Sequence, residues 1–134
     1  MKKVIVIFSI LFILMSVSYV WPSLVFTAEI TKSDELINYL YKEVPELNKL
    51  ANEIEKKSKG AVRLIIYVAG EPNKNSQNRY DREYYAMYVG ENHKTHNVNI
   101  YWLLIHKDTK EMLFHDIAEE EYIPLKVWRS RNKK

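Results

Sequence analysis

The sequence predicts an α+β domain: a kinked N-terminal helix packed on a four-stranded antiparallel meander sheet, preceded by a signal or anchor helix. Three observations predict it. One apolar stripe at helical spacing runs from Leu36 to Ile54, the pattern changes to alternating β-branched and aromatic residues after Gly60, and two lysines open an apolar run at the N-terminus. Setting aside residues 1–28 as leader, residues 29–134 fall near the common size of a single domain, with room for one core.

The leader comes first in the chain. Lys2 and Lys3 precede "VIVIFSILFILMSVSYV", Val4 to Val20, and then Trp21 and Pro22. A charged end followed by such a run is the pattern of a bacterial export signal. Small residues at Ser16 and Ser18 suit a cleavage site, whereas the later Ala28 has bulky Phe26 two residues before it. The run is also just long enough to span a bilayer, so it reads as a cleaved signal peptide or as a retained anchor. Either way the charged end stays inside, and the domain is expected to be extracellular, periplasmic or on the outer face of the cytoplasmic membrane. Membrane contact is expected only through this segment. The chain contains no cysteine, which excludes lipidation at a lipobox and disulfide cross-links and leaves stability to the core.

Charge gives little purchase on function. Of 20 Lys and Arg, two lie in the leader, so 18 face 17 Asp and Glu in the remainder, a net +1. This balance argues against a nucleic-acid partner, and Arg129, Arg131, Lys133 and Lys134 read as a solvated basic tail.

The helix begins after a cap signal at Ser33, with Asp34 and Glu35 in the first turn. Leu36, Leu40, Val44, Leu47, Leu50, Ala51 and Ile54 share one sector at 100° per residue, the mark of a core-facing stripe. Pro45 removes a helical N–H, so the element should kink there or restart as a second helix. Gly60 stops it after a basic last turn. Strands follow. In "AVRLIIYVAG", Val62, Leu64, Ile66 and Val68 share one face, and Arg63, Ile65 and Tyr67 the other. "EPNKNSQNRYD" reads as a loop. "REYYAMYVG" and "NIYWLLIHK" are the second and third strands, and "EMLFHD" closes a hairpin with a loop of two to four residues. Connections this short favour a meander.

One helical layer covers one face of such a sheet. The other face inherits Tyr67, Tyr84, Tyr88 and some of Tyr101, Trp102 and the apolar residues of "YWLLI", and the tail "EEEYIPLKVWRSR" offers Tyr122, Ile123, Leu125 and Trp128 as cover, with Pro124 starting a short helical turn. Exposed aromatic area of this kind marks a protein or peptide partner, or a second copy in a homodimer. Tyr67, Tyr84, Tyr88, Tyr101, Trp102 and Trp128 are the candidate contact residues.

The order of a helix and then a meander, with "NIYWLLIHKDTKEMLFHD" as strand, turn and strand, resembles the cystatin-like group and PepSY-type exported domains in particular. In that family the hairpin carries an Asp and a Thr-Gly-Glu-like turn. Asp108, Thr109 and Glu111 match it, and Lys110 stands where Gly is expected. The resemblance implies a peptidase regulator or cell-envelope module and carries no catalytic residue. The Gln-Val-Val-like hairpin of cystatin inhibitors is not present.

Chemistry is sparse. His93 and His96 in "ENHKTHN" are three apart and supply two metal ligands at most, where a native site needs three or four. Turn formers around them make them loop imidazoles, with a metal site as the alternative. His106 and His115 lie too far along their strands to join them. The chain has no cysteine nucleophile and no Gly-x-Ser-x-Gly elbow, and Gly60, Gly70 and Gly90 are too scattered to form a phosphate loop. Asp116 and Glu119 to Glu121 read as a solvated charge run. The expectation is therefore an exported binding or regulatory module without enzymatic activity or cofactor. The alternative is a structural domain that dimerises at the envelope, with a metal protein or hydrolase behind both.

Overall fold

The computed structural model describes residues 31–132, so the expected signal or anchor at residues 1–28 lies outside the described residues. The fold is α+β. Helices α1 (Lys32–Glu43) and α2 (Glu46–Lys57) lead into strand β1 (Arg63–Gly70), short helix α3 (Arg79–Glu83), and strands β2 (Tyr84–Asn92), β3 (Asn97–His106), β4 (Met112–Asp116) and β5 (Glu121–Pro124). Helix α4 (Leu125–Arg131) follows. All five strands pair antiparallel in chain order, β1-β2-β3-β4-β5. The sheet is thus the expected meander with one strand more than expected.

Thr31, not Ser33, caps α1. Its backbone is extended, its Oγ1 accepts the Asp34 N–H at 3.2 Å, and the Asp34 carboxylate accepts the Thr31 N–H at 3.1 Å. This reciprocal box satisfies two end groups at once, and Ser33 lies inside the first turn. The break falls where Pro45 demands it. Val44 leaves the helical region at φ −124° and ψ 70°, and Pro45 stands immediately before α2. The stripe keeps phase across the break: Leu36, Leu40, Val44, Leu47 and Ile54 are all buried. At the end of α2 the Gly60 N–H reaches back to the Glu55 carbonyl at 2.8 Å and the Lys59 N–H to that of Lys56 at 3.3 Å. Closing the helix this way needs the left-handed region, which Lys59 (φ 53°) and Gly60 (φ 82°) both occupy.

α1 and α2 lie over one face of the sheet, where Met87, Val89, Leu103, Ile105, Met112, Phe114 and Ile123 complete the core. α4 extends the same layer. Trp128 stacks on Phe114 with ring centroids 4.3 Å apart and meets Tyr101 edge-on at 5.5 Å. Three expectations are corrected here. β5 is a strand that pairs Phe114 with Ile123 and His115 with Tyr122, although its sequence, acidic and closed by Pro124, resembles a loop. "EPNKNSQNRYD" contains α3, capped by the Asn78 side chain, which accepts the Tyr80 N–H at 2.9 Å. The β3–β4 loop spans residues 107–111, longer than the two to four residues expected.

That loop is held by His106. Its Nδ1 accepts the N–H groups of Asp108 and Thr109, both at 3.1 Å, which leaves the ring proton on Nε2. The His106 N–H bonds the Glu111 carbonyl at 2.9 Å and closes the hairpin. Lys110 sits at φ 61°. This is the left-handed region, and a lysine occupies it at a steric cost.

Candidate functional site

The face of the sheet turned away from α1 and α2 is built by alternation. On β2, Met87 and Val89 point into the core, so Tyr84, Ala86, Tyr88 and Gly90 point the other way. Register then sets their neighbours: Tyr67 of β1 lies opposite Tyr88, and Tyr88 opposite Trp102 of β3. The Tyr67 and Tyr88 rings stack at 4.8 Å, and Trp102 meets Tyr88 edge-on at 5.3 Å. The outer members of this row stay open, Tyr67 at 42% exposure and Trp102 at 37%, while Tyr88 between them keeps 7%.

Tyr88 is buried because Gly90 makes room for it. A Cβ on Gly90 would stand 2.6 Å from Tyr88 Cε1 and Oη and 2.5 Å from the Val98 carbonyl oxygen. The ring thus lies over bare backbone beside an irregularity in the β2–β3 pairing, where Val89 faces Tyr101 and Gly90 faces Asn99. Burial, and next to it the Tyr67 hydroxyl, hold the Tyr88 phenol above its ordinary pKa. Sequence pattern marked the row and missed this support, whose signal was the lone Gly90 in an otherwise aromatic strand.

The other half of this face is closed. Tyr84, Leu104 and Leu113 form a second cluster, covered by Tyr80 from α3 and Tyr122 from β5. Tyr80 meets Tyr84 at 5.7 Å and Tyr122 at 4.9 Å. The Tyr84 hydroxyl donates to Glu111 Oε2 at 2.9 Å, and its ring meets His106 edge-on at 4.9 Å. Burial first, and then the Glu111 carboxylate, push the Tyr84 phenol up to about 12. Tyr80 escaped the sequence reading because α3 has no apolar periodicity to announce it.

The six candidate contact residues therefore separate into three groups. Tyr67, Tyr88 and Trp102 form the row on the partly open half. Tyr84 lies on the same face beneath Tyr80 and Tyr122. Tyr101 and Trp128 belong to the opposite, helix-covered face, which corrects their expected placement: Tyr101 packs against the main core and Trp128 is part of it. Of the tail residues offered as cover for the aromatic face, only Tyr122 reaches it, while Ile123, Leu125 and Trp128 serve the main core.

His93 and His96 occupy the tip of the β2–β3 hairpin, where the His93 N–H bonds the His96 carbonyl at 2.9 Å. Their rings lie parallel, 5.0 Å apart. His93 Nε2 is 2.8 Å from Glu91 Oε2, and His96 Nδ1 is 3.0 Å from Thr95 Oγ1. Among the described residues no three His, Cys, Asp or Glu side chains converge as a metal site would require. In the acidic run, Asp116 accepts the N–H groups of Ala118 and Glu119 at 3.0 and 3.4 Å and pairs with Arg131, which holds its carboxyl below the usual range. Arg131 also approaches Glu121 at 3.6 Å. These carboxylates shape the β4–β5 turn.

No protein-family model, curated protein or solved structure matches the chain. Among the described residues no helix is long and apolar enough to cross a membrane.

Proposed function

We propose that this domain is an exported, non-catalytic binding module that holds a protein or peptide partner at the cell envelope through Tyr67, Tyr88 and Trp102. The observation that carries the reading is the contrast between the halves of one sheet face. Tyr80 and Tyr122 roof the half around Tyr84, while Tyr67 and Trp102 stay open around a ring already fixed by Gly90. Aromatic side chains held rigid before contact lose little entropy on binding, and they dominate recognition surfaces for that reason. Export rests on the Lys2-Lys3 leader. Kinship with PepSY-type domains rests on the sequence resemblance alone, carried by Asp108, Thr109 and Glu111 in the "KDTKE" turn.

The test is affinity capture from envelope extract with the full chain, beside a Tyr67→Ser/Trp102→Ser variant. Both side chains are partly exposed but pack on Tyr88, so the variant should lose a modest amount of stability, and a cooperative melt shows that it still folds. A partner held by the parent and lost by the variant is the expected result. A partner retained equally by both, or none captured by either, refutes the proposed surface.

A further inference from the structure

Of the four histidines, His106 alone among the described residues turns a ring nitrogen on backbone donors. Its Nδ1 has one lone pair to offer, and the N–H groups of Asp108 and Thr109 share it at 3.1 Å each. The other ring nitrogen, Nε2, faces the Glu83 carboxylate at 3.8 Å, and the ring packs at right angles to that of Tyr84 with centroids 4.9 Å apart. The His106 side chain is only 14% exposed. Its neighbours, more than bulk water, set what a second ring proton would meet.

We propose that His106 is a proton-operated catch on the β3–β4 loop: a proton taken up at Nδ1 releases residues 107–111 from their closed form. Protonation turns the acceptor into a donor and points it at two other donors. Both bonds must then be given up. Asp108 and Thr109 are exposed, so their N–H groups pass to water and the loop opens while the core stays folded. Glu83 gives the charged ring a partner. The Arg79 hydrogen bond holds the Glu83 carboxyl below its usual range, so that partner stays ionised while imidazoles titrate. Arg79 opposes a new positive charge, as do Lys107 and Lys110 of the loop, and Asp108 and Glu111 offset them. β2 contributes Tyr84, which carries no charge in this range because its phenol is raised to about 12.

Release reaches beyond the loop. The Lys110 carbonyl accepts the Tyr39 hydroxyl of α1 at 3.2 Å, the Lys107 N–H bonds the Glu83 carbonyl at 2.9 Å, and Glu111 accepts the Tyr84 hydroxyl at 2.9 Å. The closed loop therefore ties α1 and α3 to the roofed half of the aromatic face, and acid loosens the tie. This device belongs to the hairpin and does not rest on partner capture through Tyr67 and Trp102.

Nuclear magnetic resonance of the 15N-labelled full chain tests it, from about pH 8 to about pH 5, the span over which imidazoles titrate. At the upper end the His106 Nδ1 should carry no proton. On acidification the Asp108 and Thr109 amide signals should shift with the same midpoint as the His106 ring, and their order parameters should fall from about 0.85 to below about 0.6. His106→Asn keeps an oxygen that accepts the same N–H groups in an Asx turn and has no proton to take up. Its loop should stay ordered through the same range. The parent titration is decisive even where that variant does not fold. A His106 ring that titrates while the Asp108 and Thr109 amides keep their positions and order overturns the proposal. So does a ring that carries a proton on Nδ1 at the upper end, or one that takes none by the lower. A His106→Asn loop that opens in acid as the parent's does also overturns it, because a carboxylate of the loop would then be the trigger.

Discussion

Arg129 and Glu46, 83 residues apart, meet in a two-point ion pair: Nε donates to Oε1 at 2.7 Å and Nη2 to Oε2 at 3.0 Å. The same Nη2 donates to the Glu43 carbonyl at 2.7 Å, so one guanidinium spans the break between α1 and α2 and ties α4 to it. Over a third of each side chain is exposed, so water screens the pair, and Arg129→Ala should cost no more than about 1 kcal/mol. The Arg129 hydrogen bond holds the Glu46 carboxyl below its usual pKa. A lowered folded value means that this stability is complete above the ordinary carboxylate range and is lost as pH falls through the folded value. Denaturant melts should therefore show the gap between parent and Arg129→Ala closing below about pH 4.

The two sides of α2 should answer differently to truncation. Leu47 is fully buried and Lys49 is exposed. Leu47→Ala should lose about 2–5 kcal/mol, and Lys49→Ala should stay within about 0.5 kcal/mol. Comparable losses in urea titrations would show that the stripe does not face the core.

Gly90→Ala forces a methyl group against a ring and a carbonyl together. A loss of about 1–3 kcal/mol is expected. Removing the ring with Tyr88→Ala cannot rescue it fully, because the Val98 oxygen is backbone. A double variant whose cost is no greater than that of Tyr88→Ala alone would contradict this geometry.

Lys59 and Lys110 stand in the left-handed region; the Lys59 side chain is exposed, and that of Lys110 makes one long bond, Nζ to the Lys107 carbonyl at 3.4 Å. Lys59→Gly and Lys110→Gly should each raise stability by about 0.5–1 kcal/mol, the relief of Cβ strain less the added freedom of the unfolded chain. A fall in melting temperature for both would show that the turns are held by contacts the glycine lacks.

Tyr84 should be the late tyrosine in an alkaline absorbance titration. Its phenol is raised to about 12, above the value of an unfolded chain, so the folded state holds that proton longer. The resulting stability is present below about pH 10 and is lost as pH rises towards 12. Tyr84→Phe should delete the late step and remove the Glu111 bond, at a cost of about 1 kcal/mol.

Much of the layout was legible because it rests on periodicity. Leu36, Leu40, Val44, Leu47 and Ile54 keep a helical spacing that Pro45 interrupts without shifting, and the buried face follows from it. Where both faces of a strand are apolar, periodicity falls silent. In "YWLLI" nothing local decides whether Tyr101 or Trp102 points into the core, and only the pairing of Trp102 with Tyr88 settles it. β5 was hidden by the features that make it a good edge: its acidic start and Pro124 are also loop signals. The tail was expected to cover the aromatic face. Trp128 instead enters the core because α4 turns back onto Phe114, a long-range contact that no local pattern encodes.

Trp128 also bears on how the domain is closed. Every strand pairs with its neighbour in the chain, so the sheet can zip up in the sequence in which it is made, with short loops to close and a low kinetic barrier. The aromatic core behaves otherwise. Phe114 and Tyr101 meet Trp128 of α4, the last helix among the described residues and C-terminal to all five strands. A chain cut short before α4 would therefore leave Phe114 and Tyr101 uncovered. Trp128 is thus the closing piece of the core: it supplies the ring that Phe114 stacks on and Tyr101 meets edge-on, and a chain without it keeps that aromatic surface bare.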